Sequence, residues 1–213
     1  MSEKKAKRGR FIVLDGPDGV GKTTHARMLS AELQRHGVTV NALREPGGTP
    51  LGEAIRKLLL DQTKIHIDAL AEAFLFQAAR AQLIREVIVP ALKRGEWIIC
   101  DRFTLSTLVY QGYAGGIPKK TIKEMSAAAT DGIKPDAYFV LCLPSEISAE
   151  RRAIRKADRM ESKGDTYLDN VVKGFTKEGK QRGNKYKLID GRGTEQDVQQ
   201  RIWAQVEKLL AGK

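Results

Sequence analysis

Eight residues near the start of the chain, Gly16-Pro17-Asp18-Gly19-Val20-Gly21-Lys22-Thr23, constrain the fold more than any other feature. They match the spacing G-x-x-x-x-G-K-[ST] without a mismatch. The apolar run Phe11 to Leu14 precedes them, and a helical pattern from Thr23 to His36, closed by Gly37, follows. A strand, a glycine-rich turn and a helix in that order build a loop whose amides point inward at an anion. The positive end of the helix dipole lies behind it. Lys22 is then able to reach the β- and γ-phosphates of a nucleoside triphosphate, and the Thr23 hydroxyl is able to ligate Mg²⁺. Gly16, Pro17, Gly19, Val20, Gly21 and Thr24 complete the wrap. Asp18 is suited to hold a water of the metal shell or to stabilise the turn.

The rest of the chain alternates short apolar runs with helical patterns. Val38 to Leu43, Trp97 to Cys100, Ala137 to Leu143 and Lys187 to Ile189 read as further strands. Helices are expected at Leu51 to Leu60, at Ala69 to Leu92 with Pro90 kinking or interrupting it, and at Glu195 to Leu210. Strands separated by helices imply an α/β fold, a five-stranded parallel sheet flanked by helices on both faces. Ligands of such sheets sit at the carboxyl ends of the strands, where Asp15, Asp18, Arg44, Asp101 and Arg102 fall. Residues 1–10 read as a basic, flexible tail and residues 11–213 as one domain.

Composition narrows the function classes. With 41% hydrophobic and 30% charged residues the chain is an ordinary soluble globular protein. No run has transmembrane length, and the basic start is followed by too short an apolar run for a signal peptide. Cys100 and Cys142 each lie in an apolar run and read as buried thiols, which makes a reducing cytoplasm the default location. The net charge of +11 raises the question of nucleic acid. Most of it is confined to residues 1–10, at +4, and 143–187, at +5, which argues against a continuous binding face.

A phosphate loop alone states only that a nucleoside triphosphate binds. The guanine-reading N-K-x-D is absent, and 213 residues suit a small kinase better than a helicase or motor. Three segments supply groups for a second phosphorylated ligand. Arg44-Glu45-Pro46-Gly47-Gly48-Thr49 is a shaped turn after a strand, with Arg56 in the helix beyond it. Phe76 and Arg80 share a helix face, where a ring stacks on a base and a guanidinium bonds a carbonyl at its edge; core packing of Phe76 is the other reading. Asp101 and Arg102 end a buried strand, where Asp101 orders metal-bound water and Arg102 clamps a phosphate, or the two form structural ion pairs.

Together with Ser106 to Gln111 and Asp158-Arg159-Met160-Glu161, these segments resemble the thymidylate kinase family from Phe11 to about Leu210. The resemblance implies ATP-dependent phosphorylation of dTMP to dTDP with Mg²⁺. Phe76 would stack on thymine and Arg80 would bond its O4. Thr107 and Gln111 would help read the base, and Tyr110 would crowd the 2′ position. Arg56 and Arg102 would hold the dTMP phosphate, with Arg44, Pro46 and Ser106 in the same site. Asp18 would lie near the 3′-hydroxyl or the metal shell, and Gly191 to Thr194 would border adenine. A homodimer packed through the long helices is also implied.

The basic run Arg151-Arg152-Ala153-Ile154-Arg155-Lys156-Ala157-Asp158-Arg159 resembles the family's lid, around residues 150–165. Arg151, Arg155 and Arg159 are four apart and share one face if the helix persists. One subgroup of the family carries an arginine inside the phosphate loop after the Asp. Here that position is Gly19, so the chain resembles the lid-arginine subgroup, with Arg155 and then Arg151 as catalytic candidates beside Lys22, Arg102 and Asp18. A kinase for another small acceptor, and a non-catalytic nucleotide-binding module on RNA or DNA, are the rival readings.

Overall fold

The computed structural model describes residues 8–61, 65–153, 158–181, 183 and 185–211. Five strands form one sheet, β1 (Phe11–Asp15), β2 (Val40–Arg44), β3 (Trp97–Asp101), β4 (Ala137–Cys142) and β5 (Tyr186–Asp190), in the order β2-β3-β1-β4-β5. Every pairing is parallel. The chain first crosses from β1 to the β2 side and later returns past β1 to β4. The carboxyl end of β1 therefore lies at the reversal of strand order, the place where open α/β sheets leave a crevice.

Both faces of the three central strands β1, β3 and β4 are buried, which is why these read as continuous apolar runs rather than alternating ones, while the edge strands β2 and β5 are only partly covered. On one face Ile12, Leu14, Ile99, Phe139 and Leu141 pack against α1 (Lys22–Arg35) and α9 (Glu195–Ala211) through Leu29, Leu33, Ile202 and Val206. On the other, Phe11, Val13, Ile98, Cys100 and Val140 meet the helical segments that carry Leu83, Ile88, Ile122 and Phe175. Each fully buried side chain of this size contributes about 1.5–3 kcal/mol.

On that second face, α2 (Pro50–Leu60) leads to α3 (Ala69–Leu83), which runs through a π-helical stretch, Ile84–Ile88, into α4 (Val89–Lys93). The expected long helix is thus continuous to Lys93, and the wide turn falls just before Pro90. Pro90 has no N–H to bond back, and the local register widens to accommodate it. A short α5 (Thr104–Thr107) continues as a second π-helical stretch, Leu108–Ala114. Beyond it come α6 (Lys119–Thr130), α7 (Ser145–Ala153), a 3₁₀ turn (Glu161–Lys163) and α8 (Asp165–Gln181). Arg8 and Arg10 pair with Asp136 at 3.2 and 3.7 Å, and the Gly9 amide donates to Leu92 O, so residues 8–10 are held against the sheet rather than frayed.

Candidate active site

The phosphate loop leaves β1 at Gly16, whose φ of 144° only glycine tolerates readily. A Cβ there would stand 2.3 Å from the Leu141 carbonyl oxygen, so the backbone of β4 also demands glycine. Gly21 caps α1 in the left-handed region, at φ 88°, and turns the helix N-terminus into the loop. The Lys22 Nζ donates to the Pro17 carbonyl at 2.6 Å and lies 4.0 Å from Asp18 Oδ1. Burial, and after it the Arg102 charge, push Lys22 down to about 8, against the pull of Asp18, Asp101 and Asp15. Val20 is the loop residue whose side chain goes into the core, on the α1 and α9 face.

The Thr23 hydroxyl donates to Asp101 Oδ2 at 2.5 Å. Asp101 Oδ1 is buried and has no hydrogen-bond partner among the described residues. A buried carboxylate oxygen left open beside a phosphate loop suits a hydrated cation, which would satisfy it through bound water. No cluster of three or more carboxylate, imidazole or thiol side chains surrounds a cation site among the described residues. That donor set fits Mg²⁺, which keeps most of its waters and takes few protein ligands.

Arg102 joins the two halves of the site. Its backbone has φ 73°, and its guanidinium donates to Gly16 O at 3.1 Å, Ser106 Oγ at 2.9 Å, the Tyr110 hydroxyl at 3.2 Å and Asp18 Oδ1. It also lies over the Tyr110 ring, 5.0 Å from the centroid. Burial opposes its charge, but Asp18, Tyr110, Asp101 and Asp15 outweigh that and hold it cationic. Tyr110 in turn donates to Asp18 Oδ2 at 2.5 Å, and burial keeps its phenol protonated. Beneath them the fully buried Asp15 accepts from the Gly16, Phe103 and Ser106 amides and from the Ser106 hydroxyl at 2.6 Å. It fixes the phosphate loop to the start of α5.

The acceptor half is built from α2, α3 and the turn after β2. Arg80, 2% exposed, is clamped by Glu45 at 2.6 Å and by Gln77 Oε1 at 2.7 Å. Burial raises the Glu45 carboxyl to about 7 in spite of Arg80, and its Oε1 has no hydrogen-bond partner among the described residues. Arg56 donates to the Pro46 carbonyl at 2.9 Å, and Arg44 pairs with Glu53 at 3.2 Å. Phe76, partly buried, packs beside Ile55, Leu59 and Ala79, so its ring is both cavity wall and core edge.

One cavity of about 540 Å³ takes in both halves. Asp18, Gly19, Gly21, Lys22, Thr23 and Thr24 line its phosphate end together with Asp101, Arg102 and Arg151. Arg44, Pro46, Arg56, Phe76 and Arg80 line the other end with Ser106, Thr107, Tyr110 and Gln111. Gly16, Pro17 and Val20 are not on its wall. Arg155 lies outside the described residues. Gly191 to Thr194 also stand at the carboxyl edge, where the Gly191 amide donates to Cys142 O and Thr194 and Asp197 cap α9 reciprocally.

Arg159 departs from the expected lid face. The chain at Asp158 to Met160 is not helical, and Arg159 turns inward to Leu59 O at 2.8 Å and Glu72 at 2.6 Å. A buried carboxylate across the fold holds Arg159 there. The site residues to which sequence reasoning assigned no role are Glu45 and Glu72, both buried acids holding cavity residues, and Leu60, Asp158 and Met160 on the wall, of which Asp158 and Met160 stood inside a recognised segment. Glu45 stood inside a recognised motif; Glu72 gave no sign beyond being an acid in a mostly apolar helix.

A phosphate loop at the reversal of a five-stranded parallel sheet, opening into a cavity with an arginine-lined second end, defines a P-loop phosphotransferase of the small-kinase class. The sequence profile described as "Thymidylate kinase" matches residues 14–202. A thymidylate kinase of Prochlorococcus marinus (strain NATL2A) is 40% identical over 97% of this chain and its own full length. One from Thermosipho africanus (strain TCF52B) is 42% identical over 94% of this chain and 98% of its own. One from Pseudomonas syringae pv. tomato is 42% identical over 95% of each. The chain belongs to the thymidylate kinase family.

Proposed function

We propose that this chain transfers the γ-phosphoryl group of ATP directly to the phosphate of dTMP, giving dTDP and ADP. The observation that carries the reading is the Asp18–Arg102–Tyr110 cluster, which joins the phosphate loop to the cavity end lined by Phe76 and Arg80. Donor and acceptor then share one cavity and meet at Arg102.

In this reading Lys22 leaves the Pro17 carbonyl for the β- and γ-phosphates, and Arg102 and Arg56 hold the acceptor phosphate. Phe76 stacks on thymine, Arg80 bonds its O4, and Thr107 and Gln111 read the base edge. Tyr110 crowds the 2′ position, and Asp18 orients Arg102 and the 3′-hydroxyl. Arg44, Pro46 and Ser106 complete the acceptor wall. A phosphate monoester has its second pKa near ~6, so the acceptor is mostly a dianion at neutral pH and no general base is required. Catalysis is positioning and charge neutralisation. Mg²⁺ carried by ATP, held by Thr23 and through water by Asp101, would neutralise phosphate charge.

The lid, around residues 150–165, would bring Arg155 or Arg151 to the transferring group and exclude water. Exposed Leu51 on α2 and Leu70 and Phe74 on α3 support a homodimer packed through these helices. No described helix is long and apolar enough to cross a membrane, and Cys100 and Cys142 are free, which supports a cytoplasmic location. Turnover of dTMP with MgATP, followed as ADP production, tests the reading; absence of turnover overturns it.

A further inference from the structure

Glu72 is a charged residue in the first turn of α3, 1% exposed, with both oxygens engaged. Oε1 accepts from Gln111 Nε2 at 3.0 Å and from Lys163 Nζ at 2.9 Å. Oε2 accepts from Arg159 at 2.6 Å and from the same Lys163 at 2.9 Å. Arg159 in turn donates through Nε to Leu59 O and through its amide to Leu60 O, at the end of α2. One buried carboxylate thus ties together α2, α3, the stretch bearing Gln111 and the segment from Arg159 to Lys163.

A carboxylate only accepts hydrogen bonds, so it fixes which end of the Gln111 amide faces it. The NH₂ group goes to Glu72, and the carbonyl oxygen is the polar group Gln111 retains for the cavity it lines. A carbonyl there accepts from a base carrying a proton at N3, as thymine and uracil do. It opposes the N3 lone pair of cytosine.

We infer that Glu72 is a positioning residue for acceptor specificity: it orients the Gln111 amide to accept from N3–H, and it anchors the segment from Arg159 to Lys163 on the same carboxylate. The inference rests on the reading of the cavity as a dTMP site. Specificity at N3 then depends on a residue that lines no part of the cavity wall. Arg80, held by Glu45 and Gln77, would read the neighbouring O4 independently of Glu72.

The test compares kcat and KM for dTMP and dCMP in the wild type, Glu72→Gln, Gln111→Leu and the double variant. Glu72→Gln allows either end of the Gln111 amide to face the cavity. It is expected to raise KM for dTMP about tenfold with kcat within about threefold, and to lower the dTMP-over-dCMP ratio of kcat/KM at least tenfold. In the Gln111→Leu background the same change is expected to leave that ratio within about twofold, because Glu72 acts through Gln111. Glu72→Gln leaves two cations without their counter-charge, so Glu72→Gln/Lys163→Met serves as a second version with only Arg159 left unbalanced. The same loss of selectivity is expected of it. An unchanged ratio in either folded variant, or a further loss on top of Gln111→Leu, overturns the inference. Wild-type protein that turns over no dTMP would instead overturn the functional reading beneath it.

Discussion

The Tyr110 hydroxyl donates to Asp18 Oδ2 at 2.5 Å, so a residue of the acceptor side rests directly on the phosphate loop. The two are 92 residues apart in the chain. Asp18 also holds Arg102, and the trio shares one partly buried charge balance. Any change at Tyr110 should therefore register at both ends of the cavity.

Tyr110→Phe keeps the ring and removes the hydroxyl. The crowding of the 2′ position should persist, so preference for deoxyribose should be retained, while kcat/KM for dTMP falls about tenfold from the lost hydrogen bonds to a charged group. Tyr110→Ala should lose the preference as well. Steady-state kinetics with dTMP and its ribo-counterpart separate the two effects.

Lys22 ties ATP affinity to pH. In the free protein its ammonium titrates at about 8, lowered by burial and by Arg102. Bound phosphates favour the charged form, so above pH 8 ATP binding must take up a proton. Affinity should be flat below that pH and weaken by up to about tenfold per unit above it. Titration calorimetry in buffers of different ionisation enthalpy reads the uptake directly. Lys22→Arg should remove the proton uptake, because a guanidinium remains charged.

Glu45 gives the stability of the fold a pH slope. Its folded pKa, about 7, exceeds the ordinary carboxyl value of 4.5. The folded protein therefore holds a proton that the unfolded chain has released between these values, and stability falls as pH rises through that window. Glu45→Gln lacks the titration. The variant should melt close to the wild type at pH 5 and gain on it by pH 8, by on the order of 1–3 kcal/mol. A variant that instead loses ground between pH 5 and pH 8 would mean that the Arg80 ion pair outweighs desolvation.

Arg155→Ala is expected to lower kcat by about 10³-fold with a much smaller rise in the KM for dTMP, as removal of a charge-neutralising arginine does. Arg151 lines the cavity and is the alternative carrier of the role. Full activity in Arg155→Ala together with the loss in Arg151→Ala would move the assignment to Arg151.

The sequence was most readable where local chemistry is demanding. The phosphate loop, the apolar strands and the glycine after α1, with φ 73° at Gly37, follow from short-range rules. Asp101 and Arg102 were legible because a polar pair closes a fully buried strand. The helix α8 was missed because Lys173, Lys177, Gly174 and Gly179 break up the apolar spacing of Leu168, Val171 and Phe175. Those glycines have a tertiary cause that no local pattern carries: a Cβ at Gly174 would meet Val109 at 2.9 Å, and one at Gly179 would meet Leu188 at 2.9 Å. Glu72 was hidden for a related reason. Its partners stand 39, 87 and 91 residues away, so its burial is decided entirely by the fold. The four-residue spacing of Arg151, Arg155 and Arg159 suggested one helix face, and Arg159 left it for that same carboxylate.

The central claim is that one cavity couples ATP to dTMP. It is tested most directly by ADP production from MgATP with dTMP, dUMP, dCMP, dAMP and dGMP offered separately. Turnover with dTMP well above the other four is the expected result. Preference for another acceptor would leave the phosphate loop in place and contradict the roles given to Phe76, Arg80 and Gln111, and turnover with none would contradict the proposed reaction itself.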